Sequence, residues 1–272
     1  MGQALVEELR WRIAAIEARP LTAPSAGEGR GVVPFGVPQI DGFLGGGLAR
    51  GDLHEVAGGA PRQDGAATGF ALALAARLMA TDPGLLLWVQ QEISLREAGA
   101  PYGPGLHMFG IDPERLLIVR SGNARDTLWA AEEGLSCRAL ALVLAESWDG
   151  RALSLTASRR LRLAAQASGV PALLLSGRNA DTPSAASTRW RVAARPGAGL
   201  SVSVHDLGRP RWKIALEKNR SGRLGAWTVE WKSDAYRFLL SSARSGPTHS
   251  GIVAAAAFDR SDRAGAALRR AG

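Results

Sequence analysis

Continuous apolar runs alternate with helically spaced ones through the middle of the chain. LHEVA (53–57), LLLWVQ (85–90), LLIVR (116–120), ALALVLA (139–145) and ALLLS (172–176) are short and mostly apolar. Such runs fit strands buried on both faces of a parallel sheet. Between them, residues 67–80, 93–98, 124–135 and 152–168 carry helical spacing, and Gly169 stops the last of these. The alternation predicts an α/β layered fold: a mostly parallel central sheet with helices on both faces and ligand sites at the carboxyl ends of the strands. From residue 189 to 231 the pattern changes. Short alternating strands at 189–194, 200–206 and 213–217 follow one another without helices, which predicts a C-terminal antiparallel extension of the same sheet.

The flanks differ from this core. Leu5, Leu9, Ile13 and Ile16 recur at helical spacing over residues 3–18, and Pro20 ends that helix. Residues 20–34 are rich in Pro, Gly, Ala and Ser and read as a linker. Strand character is lost after Tyr236, and 241–272 is Ser-, Ala-, Gly- and Arg-rich apart from IVAAAAF (252–258). The expected organisation is an N-terminal amphipathic helix (1–19), a linker (20–34), a core (35–235) and a tail (236–272) that is mobile alone or ordered by a partner. The detached helix must bury its stripe on its own domain, a neighbouring subunit or a partner.

Composition narrows the class. The chain of 272 residues is 46% hydrophobic, enough for a substantial core. A single cysteine, Cys137, excludes an internal disulfide framework and a Cys-rich zinc site, and its place at the head of an apolar strand predicts burial. The four histidines are scattered, so no metal site is expected. No apolar run reaches the roughly 18–20 residues of a membrane span, and Glu7, Glu8 and Glu17 do not suit a signal peptide. A cytoplasmic, nucleoid-associated protein is expected. The net charge of +8 is uneven: residues 1–150 hold 12 basic against 18 acidic side chains, and 151–272 hold 21 against 7. That asymmetry points to a polyanion or an acidic partner for the C-terminal half, the plainer reading being a surface that uses Arg freely (30 Arg, 3 Lys).

A strand, a glycine-rich loop and a helix follow one another from Leu53 to Met79, the arrangement that cradles nucleotide phosphates. The motif G-x-x-x-x-G-K-[ST] supplies backbone N–H groups, a lysine for the phosphates and a hydroxyl for Mg²⁺. Here Gly59 and Gly65 are separated by five residues, the next two are Ala66 and Ala67, and no lysine occurs before Lys213. The loop is a degenerate P-loop. Thr68 offers a hydroxyl only if the insertion is accommodated, and Arg62 is the one cation within it.

The order of motifs resembles the RecA-like recombinases. FGVPQIDGFLGGGLARGDLHEVAG (35–58) is similar to their entry to the P-loop, LLLWVQQE ends in Glu92, and FGIDPERLLIVRSGNARDTLWAAEEGL (109–135) resembles the step and helix that follow. ALALVLAES (139–147) sits where a Walker B strand would, and ALEKNRSGR (215–223) is similar to the late Lys-Asn-Lys strand. The resemblance covers about 35–232 and implies a RecA-like P-loop NTPase fold. Within that superfamily the entry FLGGGLARGDLHEV, the HMFGIDPERLL step and the KNRSG…W block look like the ImuA group. Its members are encoded beside an ImuB-like Y-family polymerase homologue and a DnaE-type polymerase and serve damage-inducible, error-prone translesion synthesis.

The resemblance also assigns roles. Glu92 falls where a catalytic glutamate stands and Glu146 where the metal-side acid stands, although the plainer reading of both is a solvated strand-end acid. Lys218 and Arg220 occupy the positions of two cations that reach a neighbouring subunit's nucleotide, or form a basic edge strand. Without the P-loop lysine an efficient ATPase is not expected, while weak ATP binding stays open because helix N-termini attract phosphate. The loops SWDGRAL (147–153) and NADTPSAAST (179–188), where recombinases hold DNA, are short. Basic residues beside tryptophans offer another route to single-stranded DNA: Arg189 and Arg191 around Trp190, and Arg209, Arg211, Lys213 and Arg223 around Trp212. The expected function is a non-catalytic or weakly catalytic adaptor binding the ImuB-like protein and DNA or RecA. The alternatives are an active DNA-dependent ATPase with an unusual P-loop and a cell-division inhibitor of the SulA kind.

Overall fold

The computed structural model describes residues 31–60, 63–147, 152–177, 182–197, 208–220 and 222–241. The expected helix at 1–19, Arg62, the expected strand at 200–206 and the tail beyond Ser241 lie outside the described residues, as do parts of the two short loops.

The chain enters through strand β1 (Val32–Val33), helix α1 (Pro38–Leu44) and strand β2 (Leu48–Ala49), which pairs antiparallel with β1. Val32 and Val33 thus give the end of the expected linker a strand partner. The Gly-rich run after α1 is sterically required. Gly45 caps α1 at φ 73°, and a Cβ on Gly47 would lie 2.3 Å from the Val33 carbonyl oxygen, so only glycine lets β2 approach. Asp41 holds the turn by accepting from the Phe35 and Gly36 N–H groups at 2.6 and 3.0 Å.

Then come β3 (Leu53–Gly58), α2 (Asp64–Met79), β4 (Leu85–Gln91), α3 (Glu92–Ala98), α4 (Gly103–Phe109), β5 (Leu116–Ser121), α5 (Ala124–Leu135), β6 (Leu140–Ser147), α6 (Leu155–Ser168) and β7 (Ala172–Ser176). β8 (Thr188–Ala194), β9 (Arg211–Asn219), β10 (Gly225–Lys232) and β11 (Arg237–Leu240) are the remaining elements among the described residues. Among the described residues nine strands form one sheet in the order β11-β10-β9-β8-β3-β7-β6-β4-β5. The six from β8 to β5 are mutually parallel, and β9, β10 and β11 extend the sheet antiparallel. This is the α/β architecture of the RecA-like fold.

Burial follows the layers. β6 is buried at all eight positions because helices cover both of its faces. On one face α2 packs with Val56, Leu86, Trp88, Leu144, Trp190 and Ile214; on the other, α5 and α6 pack with Leu87, Val89, Val143 and Leu174. α2 is apolar nearly all round, hence Ala-rich and enclosed. Phe70 from α2 meets Phe35, Trp190, Trp212 and Phe238 at centroid distances of 6.2, 5.8, 5.9 and 5.6 Å. Such rings each bury on the order of 150–250 Å², which makes this cluster the main tie between the parallel and antiparallel parts.

Several details differ from the sequence pattern. Strand structure continues past Tyr236, because Phe238 is needed to close the aromatic cluster and pairs with Trp231 in the ladder. α1 and α4, seven residues each, are broken by Gly and Pro and carry too little period to be seen. Cys137 is half-buried rather than buried, since it precedes β6 by a turn and packs on the rim of the α5–α6 layer.

Candidate functional site

The phosphate cradle of this fold lies between the end of β3 and the start of α2. β3 has β7 on one side and β8 on the other, both parallel to it. β8 reaches across the loop that follows: Gly59 N–H donates to the Val192 carbonyl at 2.7 Å, and Ala194 N–H donates to Gln63 Oε1 at 2.7 Å. The N–H that opens the loop is therefore engaged by β8, and Gln63 ties the other end to the same strand.

The first turn of α2 carries its own anion, Asp64. A helix N-terminus favours negative charge there by about 0.3–1 kcal/mol. The carboxylate turns back over the loop floor: Asp64 Oδ1 is 3.4 Å from the position a Cβ on Gly58 would take. Thr68 donates its hydroxyl to the Asp64 carbonyl at 3.0 Å, one turn back along its own helix. Gly65 is exposed with open space around it, and Ala66 and Ala67 stand where a lysine and a hydroxyl are required. The carboxylate, the absent ammonium and the self-bonded threonine do not fit a magnesium nucleotide.

The two candidate acids are separated in character. Glu146, at the end of β6, is 3% exposed and accepts from the Trp88 indole N–H at 2.7 Å. Glu92 opens α3 on the surface and pairs with Arg96 one turn later at 3.7 Å. The first is anchored by a core tryptophan; the second has the geometry of an ordinary i,i+4 helix pair.

Lys218 Nζ donates to the Ser184 carbonyl. Burial lowers its pKa from the ordinary lysine value, the positive charge of Arg189 adds to that, and Glu55 opposes it. Its neighbour Asn219 donates to the Phe43 and Arg223 carbonyls at 2.8 and 3.0 Å, stitching β9 to α1. Arg220 is exposed.

The six basic residues assembled for DNA divide sharply. Arg189 forms a buried ion pair with Glu55 at 3.0 Å and also donates to the Thr182 carbonyl at 2.8 Å. Arg191 pairs with Glu217 at 3.0 Å and Arg211 with Glu230 at 3.3 Å. Arg223 lies over the Phe43 ring at 4.2 Å. Arg209 and Lys213 are exposed and make no ion pair among the described residues. Trp190 and Trp212 are 0% and 4% exposed, so neither ring is available to a base.

Sequence reasoning missed Asp64, Gln63, Trp88 and Trp129. Asp64 was legible as an acid in the first turn of a helix. Trp129, 61% exposed on α5, follows core Leu128 by one position and so falls off the apolar stripe. Trp88 and Gln63 act through contacts with residues 58 and 131 positions away, which no local pattern reveals.

No protein-family model matches the chain. Protein ImuA of Caulobacter vibrioides (strain NA1000 / CB15N) is 37% identical over 212 aligned positions, covering 73% of this chain and 83% of that protein. Protein ImuA of Caulobacter vibrioides (strain ATCC 19089 / CIP 103742 / CB 15) gives the same figures. With that identity over most of both lengths, and with a RecA-like sheet, the chain belongs to the ImuA family.

Proposed function

We propose that this protein is a RecA-like adaptor without ATP turnover, acting in a damage-inducible, error-prone translesion synthesis complex. Family membership supports the coarse part, a place in the ImuA-type mutagenesis system. The finer part is that it binds an ImuB-like Y-family polymerase homologue, and through it a DnaE-type polymerase, while touching single-stranded DNA or RecA. The observation that carries the adaptor reading is the cradle itself, where Ala66 stands at the lysine position and the Asp64 side chain occupies the first turn of α2. Hydrolysis requires a cation at the β- and γ-phosphates, a supported metal and a water-orienting group. A RecA-shaped body without them holds other molecules instead of working on them. DNA contact is assigned to the exposed cations Arg209, Lys213 and Arg220.

The test is phosphate release by purified full-length protein with Mg²⁺ and ATP, with and without single-stranded DNA, beside co-purification with the ImuB-like partner. The expected result is no turnover above a Glu92→Gln/Glu146→Gln control, together with stable partner capture. Magnesium-dependent turnover that disappears on Glu92→Gln would overturn the reading in favour of a DNA-dependent ATPase.

A further inference from the structure

A groove on the outer side of the α5–α6 layer lies across the sheet from α2 and the phosphate cradle. It has a volume of about 480 Å³, and Arg125, Trp129, Glu132 and Arg160 stand around it. Its apolar lining is set deep, with Leu128 and Leu161 both buried. Trp129 by contrast is 61% exposed, whereas Trp88, Trp190, Trp212 and Trp231 are all buried. The fold encloses those four rings and leaves this one to water. An indole beside an apolar floor is a surface that water covers poorly. One turn of a helix about 10 Å across, rising about 5.4 Å, occupies a comparable space. The groove therefore suits a short segment of chain.

The charges around the groove decide what it takes. Glu132 is already matched: Arg160 Nε donates to its Oε1 at 3.2 Å, and Arg160 Nη2 lies 2.6 Å from its Oε2. Asp126 is turned back on the end of its own helix, where it accepts from the Asn123 side-chain amide at 2.8 Å. A carboxylate in the first turn is also favoured by the helix dipole. Arg125 is left. It is exposed, makes no ion pair among the described residues, and lies one turn before Trp129 on the same face of α5. A single open cation beside an apolar floor and an indole complements an apolar side chain with a carboxylate close by. It is a poor match for a single strand of nucleic acid. Such a strand needs a row of cations along its phosphates and would meet Asp126, Glu132 and the exposed Glu133 here. Trp and Arg are also the residue types that most often dominate the energetics of protein–protein interfaces.

We infer that the α5–α6 groove is the docking site for a short acidic and apolar segment of the protein partner. An apolar side chain of that segment enters over Leu128 and Leu161 against Trp129, and a neighbouring carboxylate pairs with Arg125. This rests on the adaptor reading and gives it a surface on the opposite side of the sheet from the cradle.

Fluorescence anisotropy of the labelled ImuB-like partner, titrated with full-length protein, tests this. Trp129→Ala and Arg125→Glu are each expected to weaken binding by about tenfold or more. Arg125→Lys, which keeps the charge, is expected to retain most of the affinity. Leu163→Ser, at an exposed position of α6 outside the groove lining, is expected to bind as the wild type does. All four side chains are exposed, so urea midpoints are expected to stay where they are. Wild-type affinity in Trp129→Ala or in Arg125→Glu would overturn the inference and leave the adaptor reading standing. No binding by the wild type would sink the adaptor reading itself, and the inference with it. A labelled oligothymidylate whose affinity falls in Trp129→Ala, while that of the partner does not, would overturn the inference by giving the indole to a nucleobase.

Discussion

His54 sits at the centre of a chain of hydrogen bonds that fixes its proton. Its Nε2 faces the Ala49 carbonyl at 2.9 Å, which can only accept, so Nε2 carries the hydrogen. Nδ1 then accepts from Thr188 Oγ1 at 2.8 Å, and Thr188 in turn accepts from the Trp190 indole at 3.2 Å. Burial depresses the pKa of His54 below its ordinary 6.5, against the opposing pull of the Ala49 carbonyl and of Asp52. The native state therefore keeps the ring neutral where the unfolded chain binds a proton. Stability is full above pH 6.5 and falls as pH drops below it, by at most about 1.4 kcal/mol per unit. Urea unfolding at pH 7.5 and 5.5 checks this. Wild type is expected to lose about 1 kcal/mol more between the two than His54→Gln, and equal losses would refute the assignment. His54 was visible in the sequence only as one of four scattered histidines, because Thr188 lies 134 residues away.

At the scale of elements, β8 joins what the sequence showed to what it concealed. Its alternation was plain: Trp190 and Val192 turn inward, Arg189 and Arg191 outward. The same alternation made the outward arginines look free for DNA, since period two reports a face and says nothing of what covers it. In the sheet, register places Glu55 of β3 opposite Arg189, and the acid takes the cation into a site where their side chains are 3% and 12% exposed. Removing one partner of such a pair costs about 3–5 kcal/mol, whereas replacing both by apolar groups is often close to neutral. Arg189→Ala is accordingly expected to lower unfolding stability by about that amount, and Glu55→Leu/Arg189→Met to recover most of it. Urea denaturation of the two variants measures the difference. A loss below about 1 kcal/mol in Arg189→Ala would return this arginine to the solvent-facing set. The long apolar strands and α5 were legible because they are buried or strongly periodic. The edge strand β11 and the short helices α1 and α4 were not, because their local signal is weak and tertiary packing decides them.

Across the whole molecule, the charge asymmetry of the two halves is partly settled inside the fold. Arg160, Arg162 and Arg189 from the basic half pair with Glu132, Asp52 and Glu55 from the acidic half at 2.6, 2.7 and 3.0 Å. The sequence counted all of these cations toward an outside partner, and the structure takes three of them as internal ties. Burial alone would raise the Asp52 carboxyl, but its hydrogen bond from Arg162 and those from Ser187 and the Leu53 N–H hold it below the ordinary aspartate value, so that tie persists at neutral pH. Among the described residues of the basic half, Arg159, Arg195, Arg209, Lys213, Arg220, Arg223 and Arg237 are exposed without an ion pair. Any nucleic-acid affinity of the described fold must come from cations like these, and it must be paid back in salt dependence. For single strands the logarithm of affinity falls with the logarithm of salt by about 0.7 per phosphate neutralised. Changing Arg209, Lys213 and Arg220 together to Gln is therefore expected to flatten the slope by about 2 and to leave thermal stability unchanged, since none of the three side chains makes an ion pair among the described residues. Arg191→Gln, which removes a cation already held by Glu217, is expected to leave the slope where it was. Fluorescence anisotropy of a labelled single-stranded oligonucleotide over a salt series reads both. A slope near zero in the wild type would exclude direct DNA contact and leave an acidic surface on a protein partner as the counterpart of these cations.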